Sequence, residues 1–157
     1  MSGDELADLM HKALEIERGF ELIAQWEGYV GVRKKEFREI LFLLVSETNG
    51  HVRTLESMIE KIRTEQDYRG PPIQQRVFNF KGKNELEILT EISKIENIML
   101  DIYSDIRDAL KESDMTKILI DKNEARPFLT ALENLIDDET RHLTTTSKYV
   151  RKLDRLR

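Results

Sequence analysis

Six residues with metal-ligating side chains interrupt the helical patterns of this 157-residue chain: Glu17, Glu47, His51, Glu96, Glu139 and His142. Five of them stand where an apolar stripe calls for leucine. Glu17 falls between Ala13 and Phe20, and Glu96 between Ile92 and Met99. Glu139 and His142 share a stripe three residues apart, and His51 follows Glu47 by one turn. A lone carboxylate in a helical core is costly unless protonated or paired. Several carboxylates at one level repel each other unless a cation lies between them. A divalent metal would relieve that conflict, and two imidazoles beside carboxylates suit first-row transition metals. The chain has three histidines and no cysteine, so thiolate nucleophiles, disulfides and iron–sulfur clusters are excluded.

Four long helical patterns must position these groups. The first spans about Asp4 to Glu27, with Leu6, Met10, Ala13, Glu17 and Phe20 at alternating three- and four-residue steps. Gly28 and Gly31 are expected to bracket a turn, followed by a helix from about Arg33 to Gln66 with Phe37, Leu41, Leu44, His51, Leu55 and Met58 inward. Within it, Ile40 to Val45 is apolar all round, which predicts burial on two sides and a dimer contact. Trp26, Phe37 and Phe42 are read as packing groups. A connection from Asp67 to Asn84 contains Gly70-Pro71-Pro72 and is long enough to run the length of a bundle, pinned by Val77, Phe78 and Phe80. The third helix spans about Glu85 to Glu112. A second connection, Ser113 to Lys122, leads to the fourth helix, Asn123 to Leu153, with Pro127 in its first turn. The expected fold is all-α: a single domain over 1–157, built as a four-helix bundle of two antiparallel hairpins joined by a long crossover.

The two hairpins echo each other. Ile16-Glu17 matches Ile95-Glu96, and Ser46-Glu-Thr-Asn-Gly-His51 matches Asp137-Asp-Glu-Thr-Arg-His142. Glu96 and the Glu139/His142 pair are equidistant from a turn centred near residue 118. Glu17 and the Glu47/His51 pair centre near residue 33, two or three residues past the expected turn at 28–32. Each half therefore offers one inward glutamate and a carboxylate–histidine pair at one height. Tyr103 lies two turns from Glu96 on the same face and reads as core, with a supporting role at the site as the alternative. Glu21, Asp101 and Asp138 are weaker candidates for outer partners of the histidines. His11 reads as an ordinary surface or helix-end residue.

Composition narrows the remaining classes. Charged residues make up 35% and hydrophobic ones 39%, too apolar for a disordered chain, and seven glycines with three prolines are too few for a many-stranded β protein. The formal charge of −5 argues against nucleic acid as a partner. No apolar run approaches the ~18 residues of a membrane helix, and the acidic start does not read as a signal peptide. A soluble, cytoplasmic protein without a membrane partner is expected. The basic cluster at Lys148, Arg151, Lys152, Arg155 and Arg157 is read as cations placed at a helix C-terminus.

This constellation resembles the ferritin-like di-metal carboxylate family, which includes the ferritins and the rubrerythrin bundle domain. The family pattern is one Glu from each of two helices plus Glu-x-x-His from each of the other two. The resemblance covers nearly the whole chain. It implies Glu17 and Glu96 as single-carboxylate ligands, Glu139 as a bridging carboxylate, and His51 and His142 as one ligand each for two iron ions, or an iron–manganese pair. One departure stands out: Thr48 occupies the position of the family's second Glu-x-x-His glutamate. Glu47 is the preferred substitute, because positions four apart still share a helix face and a π-bulge near Gly50 would adjust its reach. The competing reading is a weakened or mononuclear site at Thr48. The resemblance implies oxidation of Fe(II) by oxygen or peroxide, as ferroxidase, peroxidase or oxidase chemistry. A peroxidase would need an external electron donor, since no rubredoxin-like module is present. A homo-oligomer, at least a dimer, is expected. Iron storage or handling without turnover, and a metal-free helical interaction module, are the alternatives.

Overall fold

The computed structural model describes residues 1–31, 34–72, 80 and 82–156, the side chains of 21–31 excepted. The chain forms α1 (Gly3–Gly31), α2 (Lys35–Glu60), α3 (Glu85–Lys111), the short α4 (Met115–Ile118), a 3₁₀ turn (Lys122–Glu124) and α5 (Ala125–Arg155). No strand occurs among the described residues, and none of their helices is long and apolar enough to cross a membrane.

Four long helices follow from the stripes. Leu6, Met10, Ala13 and Phe20 are buried on α1; Phe37, Leu41, Leu44 and Leu55 on α2; Leu89, Ile92, Met99 and Ile106 on α3; Phe128, Leu132, Leu135 and Leu153 on α5. Burying each such side chain contributes about 1.5–3 kcal/mol. Caps mark the starts: the Asn84 side chain accepts from the Glu87 N–H at α3, and Asp114 accepts from Thr116 at α4. α1 packs along α2 and α3 along α5, with α1 against α3 and α2 against α5 closing the four-helix arrangement. Lys34 Nζ lies 3.8 Å from Glu85 Oε2, so α2 and α3 begin at the same end and run parallel. The connection between them therefore traverses the length of the molecule, as expected. Phe80 is buried there; Val77 and Phe78 lie outside the described residues.

Three boundaries differ from the sequence expectation. α1 continues through Gly28 to Gly31, so the break between the first two helices is at 32–34 rather than 28–32. Glycine is tolerated in a helix whose neighbours are held by packing. The later break is centred on residue 33, which removes the two- or three-residue mismatch between Glu17 and the Glu47/His51 pair. Second, α2 stops at Glu60 rather than Gln66. The backbone leaves the helix to pair with the α4 region: Arg63 N–H donates to Ile118 O at 2.7 Å, and Ile120 N–H to Lys61 O at 3.0 Å. These bonds satisfy backbone groups that a helical continuation would otherwise satisfy. Third, α2 is α-helical through Gly50, without the π-bulge expected there.

The apolar run of α2 is also corrected. Leu41, Leu44 and Val45 are buried, whereas Phe42 and Leu43 face outward at 66% and 46% exposure. Of the three expected packing groups, Phe37 is buried and stacks on Tyr149 with ring centroids 6.4 Å apart. Phe42 does not pack within the chain, and the Trp26 side chain lies outside the described residues.

Candidate metal centre

The breaks in the stripes converge on one level of the core. Glu17, Thr48, His51, Glu96, Glu139, His142 and Thr146 are the buried polar residues, each less than 5% exposed. One comes from α1, two from α2, one from α3 and three from α5. Helical periodicity keeps each on its inward stripe, and the positions of the two breaks bring the stripes into register.

His51 is the hub. Its Nδ1 lies 3.2 Å from Glu17 Oε1 and 3.1 Å from Glu139 Oε1, and its Nε2 lies 3.1 Å from Asp138 Oδ2. Glu17, His51 and Glu139 present ligand atoms within 4.8 Å of one another, so this buried group could hold a metal ion. His142 faces Glu47 through Nε2 and Glu139 through Nδ1, the latter at 3.8 Å. The two imidazole rings are 5.6 Å apart. Tyr103, fully buried, donates to Glu17 Oε1 at 3.1 Å. Thr146 donates to Glu96 Oε2 at 2.6 Å, and Ser93 donates to Thr146 at 3.1 Å. The other Glu96 oxygen, Oε1, is buried without a hydrogen-bond partner. A small cavity lined by Glu17, Thr48, Glu96, Glu139 and His142 opens between these groups.

The departure at Thr48 takes a definite form. Thr48 is buried on the cavity wall. Glu47 lies at the margin, 24% exposed, between His142 Nε2 and Arg141 Nη2, the latter at 3.0 Å. Arg141 also binds Asp138 Oδ1 at 2.7 Å. Each histidine thus has its Nε2 held by a carboxylate from the opposite hairpin, and one arginine joins those two carboxylates. The sequence pairs Glu47 with Asp138 and Thr48 with Glu139 in the two hairpins, and the three-dimensional arrangement has the same pairing.

Burial and charge set the protonation states. Burial raises the Glu17 carboxyl above its usual range. Burial likewise pushes Glu96 up to about 7, Thr146 and His142 offsetting only part of it. Burial disfavours a charged His51, but its contacts with Glu139 and Glu17 override that and raise it to about 11. His142 is raised in the same way by Glu139 and Glu47, against burial. Glu139 is driven down to about 2, since the two imidazoles outweigh its own burial. Burial, then Glu17 and Glu139, push the Tyr103 phenol well above its usual value. In the metal-free core, protons on two imidazoles supply the positive charge that a metal would supply.

All six expected residues meet at this level, Glu47 at its edge and the other five inside. Asp138 proves a direct partner of His51. Asp101 is exposed and away from the site, His11 is half-buried on α1 without a role there, and the Glu21 side chain lies outside the described residues. Sequence reading missed Arg141, Thr146 and Ser93. Arg141 had one available signal, its place directly before His142; the two hydroxyl residues had none. The chain matches no protein-family model, no curated protein and no solved structure.

Proposed function

We propose that the chain is a ferritin-like di-metal carboxylate protein that holds two iron ions, or an iron–manganese pair, and oxidises Fe(II) with oxygen or peroxide. The observation that carries this reading is the Glu96 carboxylate. It is buried with one oxygen unpartnered and faces a cavity lined by Glu17, Glu139 and His142. Buried polar atoms without partners are rare, and a missing ion is one of the few physical reasons for one. The donor set fits: oxygen and imidazole ligands, no thiolate, and a net negative charge once the histidines lose their protons. Glu17 and His51 would serve one ion, Glu96 and His142 the other, with Glu139 between them. Bound iron would supply the one-electron chemistry. Tyr103 fixes Glu17, Thr146 fixes Glu96, and Asp138 and Glu47 orient the two imidazoles through Nε2. The apolar walls from Ile16, Phe20, Ile95 and Met99 limit water.

One observation favours a second reading, a metal-free bundle. His51 and His142 as imidazolium ions already pair with Glu17, Glu139, Glu47 and Asp138. Metal analysis of protein purified from iron-rich medium separates the two. Two irons per chain, lost in Glu139→Ala and His142→Ala, support the proposal; a metal-free product refutes it. Oxygen uptake on adding Fe(II) separates turnover from storage. For Glu47 the test is Glu47→Gln. A fall from two ions to one makes Glu47 a ligand, whereas two ions bound 10–100-fold more weakly make it a support for His142.

A further inference from the structure

The outward face of α2 has no partner within the chain. Glu39, Phe42, Leu43, Ser46, Gly50 and Arg53 follow one another at helical spacing, and all are exposed. Phe42 and Leu43 are among the few large apolar side chains left in water. Gly50 is unexplained from within. A Cβ there would meet nothing inside 4 Å, so the chain's own packing does not require glycine, although glycine weakens a mid-helix position. An approaching helix from outside would use that gap.

We infer that this face binds the same face of a second copy, with the two α2 helices antiparallel about a two-fold axis at Ser46. In such a pairing a residue a given number before Ser46 lies at the height of the residue equally far after it in the other copy. Glu39 is seven before and Arg53 seven after, so the operation creates two identical Glu39–Arg53 pairs, each about 10 Å from the axis. Phe42 is four before and Gly50 four after, so each ring meets bare backbone. Ser46, small and polar, sits at the closest approach. Arg53 makes no ion pair among the described residues, and Glu39 only a 4.0 Å contact with Lys35, so both charges are available. One acid and one base placed symmetrically about an apolar centre suit a copy of the same face. A membrane surface would instead select an excess of basic residues. The contact is one helix wide, so a weak to moderate dimer is expected.

Sedimentation velocity of the full chain at roughly 100 µM tests this, a concentration suited to a small interface. The wild type should sediment as a dimer. Phe42→Asp and Gly50→Leu should each give a monomer with unchanged helical circular dichroism. Glu39→Arg should weaken the dimer about tenfold by placing like charges together, and the double swap Glu39→Arg with Arg53→Glu should restore it to within about threefold. A monomeric wild type, a dimer or larger assembly that survives Phe42→Asp, or a swap that fails to restore pairing would overturn the inference.

Discussion

Replacing Glu96 by glutamine should stabilise the metal-free protein at high pH and leave it nearly unchanged at low pH. The side chain is 4% exposed, and burial raises its carboxyl from 4.5 to about 7. A folded-state value above the unfolded one means that the native protein holds this proton more tightly. The resulting stability is fully present below pH 4.5 and is lost as pH rises through about 7. The difference corresponds to about 3 kcal/mol, with little solvent screening at so buried a site. Glutamine keeps the shape and the acceptor for Thr146, and its amide group replaces the unpartnered oxygen, so the variant's side chain is a near equivalent of protonated Glu96. Urea unfolding of metal-free wild type and Glu96→Gln at pH 5 and pH 8 measures the effect as a change in midpoint at constant slope. The variant should match the wild type at pH 5 and exceed it by up to about 3 kcal/mol at pH 8. An equal difference at both pH values, or a less stable variant at pH 8, would refute the account of Glu96 as a strained, uncompensated carboxylate. The same variant should bind metal more weakly, because the group that burdens the empty fold is one the ion would use.

Other outcomes follow from the same geometry. Loading with Mn(II) at pH 6 should release two or more protons per chain, since His51 and His142 are both raised above that pH; titration in buffers of different ionisation enthalpy counts them, and release of less than one would contradict the imidazolium assignment. Tyr103→Phe should cost about 1 kcal/mol in thermal unfolding, through loss of the buried bond to Glu17. Gly3→Ala should lower stability by roughly 1–3 kcal/mol, because a methyl there collides with the Arg63 carbonyl oxygen where the chain leaves α2; a variant as stable as the wild type would show that this contact relaxes freely.

The periodicity of the chain was sufficient to determine four long helices, their inward faces and the residues that break them. An apolar stripe has a period set by backbone geometry alone. Glu17, His51, Glu96, Glu139 and His142 were legible because a charged or polar group on such a stripe conflicts with its surroundings. The prolines at 71 and 72 likewise ruled out a continuous helix between α2 and α3. Tertiary contacts decided what local sequence does not encode. α2 ends at Glu60 because Arg63 and Lys61 find backbone partners near Ile118 and Ile120, more than fifty residues away. Glu47 faces His142 rather than the cavity because α5 lies beside it, and Arg141 reaches both Glu47 and Asp138 for the same reason. Phe42 looked like core by composition but faces outward because α1 and α5 cover the other sides of α2. Which residues conflict with their helix can be read along one chain; which neighbours resolve the conflict depends on distances between helices, and only folding sets those.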